Sequence, residues 1–303
     1  MMQNTHAAQQ PACRPTLALA LGSGGVRSIA AAGIIHVLER ENIVPDLIVG
    51  CSSGALIGSL LAMKMPSDEV LGIVTKFWSA GLTQQRKWLS YAQIVAPKLA
   101  RFGPSFSLRD DRLIRSALER GFGDRRIEDL PIALRIAATS AQDGQPVVLT
   151  RGRLVDAIRA SMAVPILFPS VEVDGQRLFD GVLSDPLPIS AARDARVVIA
   201  LGFTGAMPRR IDRMSRMVAQ TSTALINNLM QARVEAACAT GQRVINIELQ
   251  ITKRVGLWQT DAMPYLFEQG QNAALARLDE IKARLSRRAL FDAPGMHMAP
   301  LTI

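Results

Sequence analysis

Two glycine-rich turns, each set between a short apolar run and a helix-forming stretch, constrain this chain more than any other feature. Residues 17–21 (Leu-Ala-Leu-Ala-Leu) are bounded by Pro15 and Gly22 and suit a strand buried on both faces. Gly22-Ser23-Gly24-Gly25-Val26-Arg27 follows, and Ile29, Ala32, Gly33, His36, Val37 and Arg40 then recur at helical spacing. A second run, 47–49, enters from Pro45 and meets Gly50-Cys51-Ser52-Ser53-Gly54, after which 53–63 is a helix of small residues able to pack tightly on a sheet. Strand, turn, helix, repeated at once, calls for a parallel sheet covered by helices.

The remainder keeps that alternation. Strands are expected over 134–139, 146–150, 171–173, 177–179 and 197–202, and helices over 67–78, 111–120, 154–162, 211–240 and 271–290. The fold class is therefore α/β, with the sheet covered on both faces. A chain of 303 residues, 49% of them apolar, can close one large core. The expected organisation is an N-terminal tail (1–15), a core domain (16–203), a C-terminal helical part (204–292) packed on that domain, and a tail (293–303). Residues 1–15 lack the basic start and apolar run of a secretory signal. No apolar run approaches the ~18 residues of a membrane span. A soluble cytoplasmic protein is expected, with peripheral contact at the inner membrane surface left open.

Cys13, Cys51 and Cys238 are odd in number and far apart, which excludes a disulfide framework and a cysteine-based zinc site. His6, His36 and His297 are spaced too widely for a histidine-rich metal site, so no metal or other cofactor is expected. Thirty-five Lys and Arg against 26 Asp and Glu give a net charge of +9, which favours anionic partners. The segment 76–106 carries Phe77, Trp78, Trp88, Tyr91, Phe102 and Phe106 with Lys76, Arg86, Lys87, Lys98 and Arg101 and no acid. It reads as a helical cap packed on the sheet or as a lid meeting lipid headgroups. Arg209, Arg213 and Arg216 lie beside Met207, Met214 and Met217, either a solvated basic helix face or a second membrane-facing stripe.

Gly50-Cys51-Ser52-Ser53-Gly54 has the form G-x-S-x-G in the strand–turn–helix setting of a nucleophile elbow. Gly50 and Gly54 make room where neighbouring backbones approach, and Ser52 is lifted toward the start of a helix. The plainer reading is a structural Gly-Ser turn. The 22–27 loop offers consecutive backbone amides to a phosphate or to an oxyanion. A dinucleotide site would need a third glycine where Arg27 stands and an acid ending the second strand, whereas Asp46 precedes it. No Gly-Lys-Ser/Thr follows for a phosphate-binding loop. The oxyanion reading suits a neighbouring serine nucleophile.

That serine needs a base. The order Ser52, Asp180, His297 formally fits an ordinary α/β-hydrolase triad, but the elbow comes too early in the chain and His297 lies in a Pro- and Met-containing tail. His36 sits on a helix and His6 in the N-terminal tail. No histidine is well placed, which leaves a carboxylate. Asp180 ends an apolar run and precedes Gly181, a pair that in isolation is just a turn.

Taken in order, these residues resemble the patatin-like phospholipases, especially the bacterial branch related to the catalytic domain of neuropathy target esterase. The resemblance covers about 17–187. It rests on Gly22 to Arg27, His36-Val37-Leu38, Asp46 to Gly54, Ala157-Ile158-Arg159-Ala160-Ser161 with Val164-Pro165 and Phe168-Pro169, and Phe179-Asp180-Gly181 with Asp185-Pro186 and Pro188. It implies a three-layer α/β/α fold with a mainly parallel central sheet and a helical cap. It further implies a Ser52–Asp180 dyad without histidine, an oxyanion hole of amides around Ser23, Gly24 and Gly25, and an ester lipid substrate. Ser28 stands where the family usually has glycine, and Val182 where it has Gly or Ala. An unperturbed Asp is a feeble base, so Asp180 should be partly desolvated with its pKa raised toward neutrality. Two other classes of function compete. One is a catalytically idle adaptor for lipid or protein, against which stands the presence of both dyad residues. The other is a nucleic-acid binder, for which no module is recognisable. No nucleic-acid partner is expected, and oligomeric state is not legible.

Overall fold

The unbroken apolar runs that open the chain become its most buried strands, β1 (Leu17–Leu21) and β2 (Leu47–Cys51), in which every residue is buried. The computed structural model describes residues 16–79, 81, 85, 87, 90, 106–207, 210–253 and 255–286. Within them β3 (Ala133–Ser140), β4 (Pro146–Leu149), β5 (Val171–Val173), β6 (Gln176–Asp180), β7 (Val197–Leu201) and β8 (Arg243–Ile247) complete one sheet. Its pairing order is β5-β6-β3-β2-β1-β7-β8, with β4 also on β3. The run β3-β2-β1-β7-β8 is parallel throughout. β4, β5 and β6 pair antiparallel at its far side.

Alternate side chains divide between two cores, as the pleat requires. Leu17, Leu19, Leu21 and Ile48 face a large cluster with α1 (Ala30–Arg40), α2 (Ser53–Ala62), α3 (Ser67–Phe77) and α7 (Met263–Ser286). Ala18, Ala20, Leu47 and Val49 face a second cluster closed by Met230, Val234 and Ala237 of α6 (Met214–Ala239). In chain order α4 (Arg112–Phe122) lies between α3 and β3, and α5 (Leu154–Ser161) lies between β4 and β5. This is the expected three-layer α/β/α arrangement. The C-terminal helix belongs to it fully. A Cβ on Gly33 of α1 would sit 2.0 Å from the Phe267 carbonyl oxygen, and one on Gly270 of α7 would sit 2.1 Å from that of Ala30.

The C-terminal part is not purely helical, which corrects the reading of 204–292. β8 pairs with β7 from Val197↔Arg243 to Leu201↔Ile247. Arg-Val-Ile-Asn-Ile alternates exposed or half-buried with buried residues, as an edge strand does, and so lacks the continuous apolar run of the inner strands. The helix expected from 271 begins at Met263, and α1 is preceded by a 3-10 turn, Gly25–Ile29.

Of the aromatic segment 76–106, Trp88, Tyr91, Phe102, Arg86, Lys98 and Arg101 lie outside the described residues, as do the tails and Arg209. Phe77 and Trp78 are buried in the main core, with the Trp78 ring 6.1 Å from that of Trp258. For those two the core-packing reading holds.

One consequence of the register positions the site. β4 occupies one edge of β3 over Ile136 to Thr139, so β2 and β6 must share the other edge. β2 finishes there with Cys51↔Ala137 and β6 finishes with Asp180↔Ala138. The two strands meet end to end, and their last residues are brought together by backbone pairing alone.

Candidate active site

Ser52 caps α2 with φ 56° and ψ −121°, a conformation that non-glycine residues avoid. Its surroundings hold it there. The Ser52 N–H donates to Ser161 Oγ at 2.8 Å, Ser161 Oγ donates to the Ala137 carbonyl at 2.6 Å, and the Ser52 carbonyl accepts from Ala55 N. A Cβ on Gly50 would fall 2.5 Å from Ala55 Cα, and one on Gly54 would fall 2.4 Å from the Leu21 carbonyl oxygen. Only glycine lets the turn fold back so tightly against β1. The sharp turn leaves Ser52 half-buried while all of α2 is buried.

Ser52 Oγ donates to Asp180 Oδ2 at 2.7 Å. Asp180 is fully buried. Its second oxygen, Oδ1, accepts from Val182 N at 2.8 Å and faces the Cys51 thiol at 3.9 Å. Burial drives the carboxyl pKa up to about 7, against the opposing pull of the bonds from Val182, Ser52 and Cys51. The same burial, with the nearby carboxylates, pushes the Cys51 thiol well up, so it stays protonated and inert. A Cβ on Gly181 would lie 2.6 Å from the Ala137 carbonyl oxygen, so this turn too requires glycine. The backbone of Asp180 is fixed by Asp180 N to the Ala163 carbonyl (3.0 Å) and by Thr139 Oγ1 to the Asp180 carbonyl (2.8 Å).

The glycine loop lies against the elbow. Ser53 Oγ accepts from Gly24 N at 3.1 Å and lies 2.7 Å from Ser28 Oγ, which also bonds the Gly22 carbonyl. Ser28, a departure from the expected glycine, is thus a buried clasp between the two turns. The three expected oxyanion donors are not equivalent. Ser23 N–H is committed to the Pro186 carbonyl at 2.9 Å and Gly24 N–H to Ser53, whereas no partner is found for Gly25 N–H among the described residues. Gly25 has φ +61°, and its loop is braced by Val26 N donating to the Leu257 carbonyl.

The sequence profile of the patatin-like phospholipases matches residues 19–193. The chain belongs to that family. A protein described as an uncharacterized NTE family protein of Mycobacterium tuberculosis is 34% identical over 221 residues, which is 69% of this chain and 57% of the relative. Lysophospholipase NTE1 of Saccharomyces cerevisiae is 30% identical over 195 residues, 64% of this chain and 11% of that protein. This patatin-like chain therefore spans little more than half the length of the first relative and a small part of the second. Among solved structures, VipD from Legionella pneumophila aligns over 88% of this chain and 67% of its own, at 14% identity and a TM-score of 0.47.

The patatin-like site contains no histidine among the described residues. His36 bonds Ser67 Oγ at 3.0 Å and stands edge-on to Phe267, while His6 and His297 lie outside the described residues. Several supporting residues escaped the sequence reading. Ser161 carried a visible signal, since it ends the Ala-Ile-Arg-Ala-Ser stretch, but nothing in one dimension pairs it with Ser52. Arg233 and Asp185 carried none as a pair. They form an ion pair at 3.3 Å, and Arg233 Nη2 donates to the Ser184 carbonyl at 2.6 Å, next to the Asp180 turn.

β1 is flanked by β2 and β7, which lead away in opposite directions. At such a switch point, ligands bind outside the carboxyl ends of the strands. A cavity of about 640 Å³ opens there beside the glycine loop, lined by Arg27, Phe203 and Leu249 with Asn228, Gln231 and Glu248. Neither Ser52 nor Asp180 lines it. Arg27 is held at its mouth by bonds to the Gly24 and Thr204 carbonyls and stacks over Phe203 at 5.7 Å.

Proposed function

We propose that this protein hydrolyses carboxylic esters of lipids through a Ser52–Asp180 dyad. The observation that carries the reading is the 2.7 Å hydrogen bond from Ser52 Oγ to a fully buried carboxylate. Family membership and the names of two relatives, a lysophospholipase and a patatin-like phospholipase domain-containing protein, direct the substrate class toward phospholipids and lysophospholipids.

Ionised Asp180 accepts the Ser52 proton as Oγ attacks the ester carbonyl carbon. Negative charge moves to the carbonyl oxygen, where the Gly25 amide and the start of α2 stabilise it; one such donor is worth about 3–4 kcal/mol in the transition state. Protonated Asp180 then gives its proton to the leaving alcohol, and an acyl-Ser52 ester remains. Water attacks that ester, passes a proton to Asp180, and the proton returns to Ser52 Oγ as the acid departs. A pKa of about 7 equips Asp180 for both halves of the cycle, since base and acid forms are close in energy at neutral pH.

The test is a fluorophosphonate probe with hydrolysis of p-nitrophenyl acyl esters and lysophospholipid. Wild type should be labelled and active, and Ser52→Ala should lose both. Asp180→Asn should lose turnover while keeping its fold. Unchanged esterase activity in Ser52→Ala would eliminate the dyad and leave a lipid- or protein-binding adaptor as the alternative.

A further inference from the structure

Helix α6 is too long for the sheet it covers. Twenty-six residues at 1.5 Å each span about 39 Å, whereas the five-residue strands β7 and β8 span about 17 Å. The helix ends at Ala239, four residues before β8 starts, so its C-terminal end lies at the amino edge of the sheet and the excess projects past the carboxyl edge. The point of departure is marked by Asn227. Its side chain accepts from Gly205 N at 2.8 Å and donates to Gly205 O at 3.0 Å, just beyond β7. Met230, Val234 and Ala237 below it pack into the core. Above it, among the described residues, the helix is mostly exposed from Met214 to Ser222.

The projecting part is apolar on one face. Met214, Met217, Val218 and Leu225 recur at i, i+3, i+4 and i+11, and they are 71%, 47%, 48% and 65% exposed; Ile211, just before the helix, is 53% exposed. Such a cluster on one short segment is not the scattered exposure of an ordinary surface. Three arginines, Arg210, Arg213 and Arg216, accompany it with one acid, Asp212, which pairs with Arg216 at 2.8 Å. Ser52 and Asp180 lie at this same carboxyl edge. Nearby, Leu183 follows the Asp180 turn and Leu257 leans on the Gly25 loop, and both are about half exposed.

We propose that the N-terminal half of α6 docks this protein on an anionic phospholipid bilayer. The apolar face would enter the headgroup–acyl boundary and the arginines would meet lipid phosphates, in an arrangement typical of interfacial helices. The flexible methionines suit a fluid surface, and docking there brings the carboxyl edge with its dyad toward the membrane. A second copy of the chain, carrying the same arginines, would oppose like charge to like charge. The choice of occupant rests on the lipid-esterase reading, but the docking itself requires no turnover.

The experiment is co-sedimentation of the full chain with phosphatidylcholine vesicles, with and without phosphatidylglycerol. It is run beside hydrolysis of soluble p-nitrophenyl butyrate and of vesicle-borne lysophospholipid. Wild type should bind the anionic vesicles and release them as salt rises. Met214→Glu/Met217→Glu/Val218→Glu should lower that binding about tenfold or more, since three apolar side chains no longer leave water. Its butyrate activity should be unchanged and its vesicle activity should fall. Ser52→Ala should bind as wild type does, so loss of turnover and loss of docking are separable. No binding of wild type to either vesicle, or undiminished binding by the triple variant, would overturn the proposal. So would a wild-type dimer that the triple variant converts to a monomer, because the face would then belong to a second copy.

Discussion

Asp180 makes the sharpest test of the chemistry because its environment sets two measurable quantities at once. In the proposed mechanism the base form is required for attack, so kcat/KM should rise with pH along a limb with a midpoint near 7, the free-enzyme value. At pH 6 about one-tenth of the molecules would hold the ionised carboxylate, and at pH 8 about nine-tenths. Activity should therefore climb roughly tenfold across that interval. An ordinary aspartate would give a flat profile above about pH 5.

The same shift must appear in stability. In the native protein the carboxyl binds its proton up to about pH 7, whereas in the unfolded chain it loses it near 3.8. Between those values the native state holds more protons, so stability falls as pH rises and levels off above pH 7. The whole difference corresponds to about 4 kcal/mol. Asp180→Asn removes the titration and keeps the shape, so its stability relative to wild type should improve by about 2–3 kcal/mol from pH 5 to pH 8 in urea melts. A kcat/KM midpoint near 4, or a stability gap that does not change with pH, would refute both the burial argument and the assignment of Asp180 as base.

Two further outcomes test the frame around the dyad. Ser161→Ala should destabilise by about 1–3 kcal/mol, because the Ser52 amide and Ala137 carbonyl both lose a buried partner, and it should lower kcat far more than it changes KM. Arg233→Met should cost about 2 kcal/mol in urea melts, less than the roughly 3–5 of a fully buried pair since Arg233 is 31% exposed. The variant should lose most of that cost at low pH, where Asp185, whose pKa burial already raises, becomes neutral.

The elbow was legible because its requirements are local. A strand, a strained serine and glycines at Gly50 and Gly54 follow from backbone approach within a few residues, and the sequence displays each of them. The inner strands were legible for a related reason, since burial on both faces leaves an unbroken apolar run. β8 was not, because an edge strand with Arg243 and Asn246 shows only weak alternation. The roles of Ser161, Ser28 and Arg233 were hidden for a third reason. Each acts on a backbone group or charge from another element, and a serine or arginine that does so is indistinguishable in one dimension from any other. The glycine loop proposed to hold the oxyanion fell between these cases. Its glycines were evident, but which amide stays uncommitted depends on the Pro186 carbonyl and Ser53 Oγ, which only the fold brings near.

The meeting of serine and carboxylate has a simpler origin than a catalytic triad assembled from separate loops. Hydrogen-bond register along a single edge of β3 puts Cys51 opposite Ala137 and Asp180 opposite Ala138, so the dyad is spaced by the pitch of a strand. Parallel β2 arrives from one end and antiparallel β6 from the other, and each must turn at once because the other blocks its path. The crowding shows at Gly181, where a Cβ would meet the Ala137 carbonyl oxygen at 2.6 Å and Cys51 Sγ at 3.0 Å, whereas Gly54 is required by the close approach of β1. The Asp180 carboxyl is fully buried at this junction, against Cys51 Sγ and Val182 N. The raised pKa of Asp180 follows from that burial, and in the proposed mechanism it is what lets an aspartate act as the base. In the proposed mechanism no histidine is needed, because burial already moves the carboxylate into the pH range where imidazole would otherwise serve.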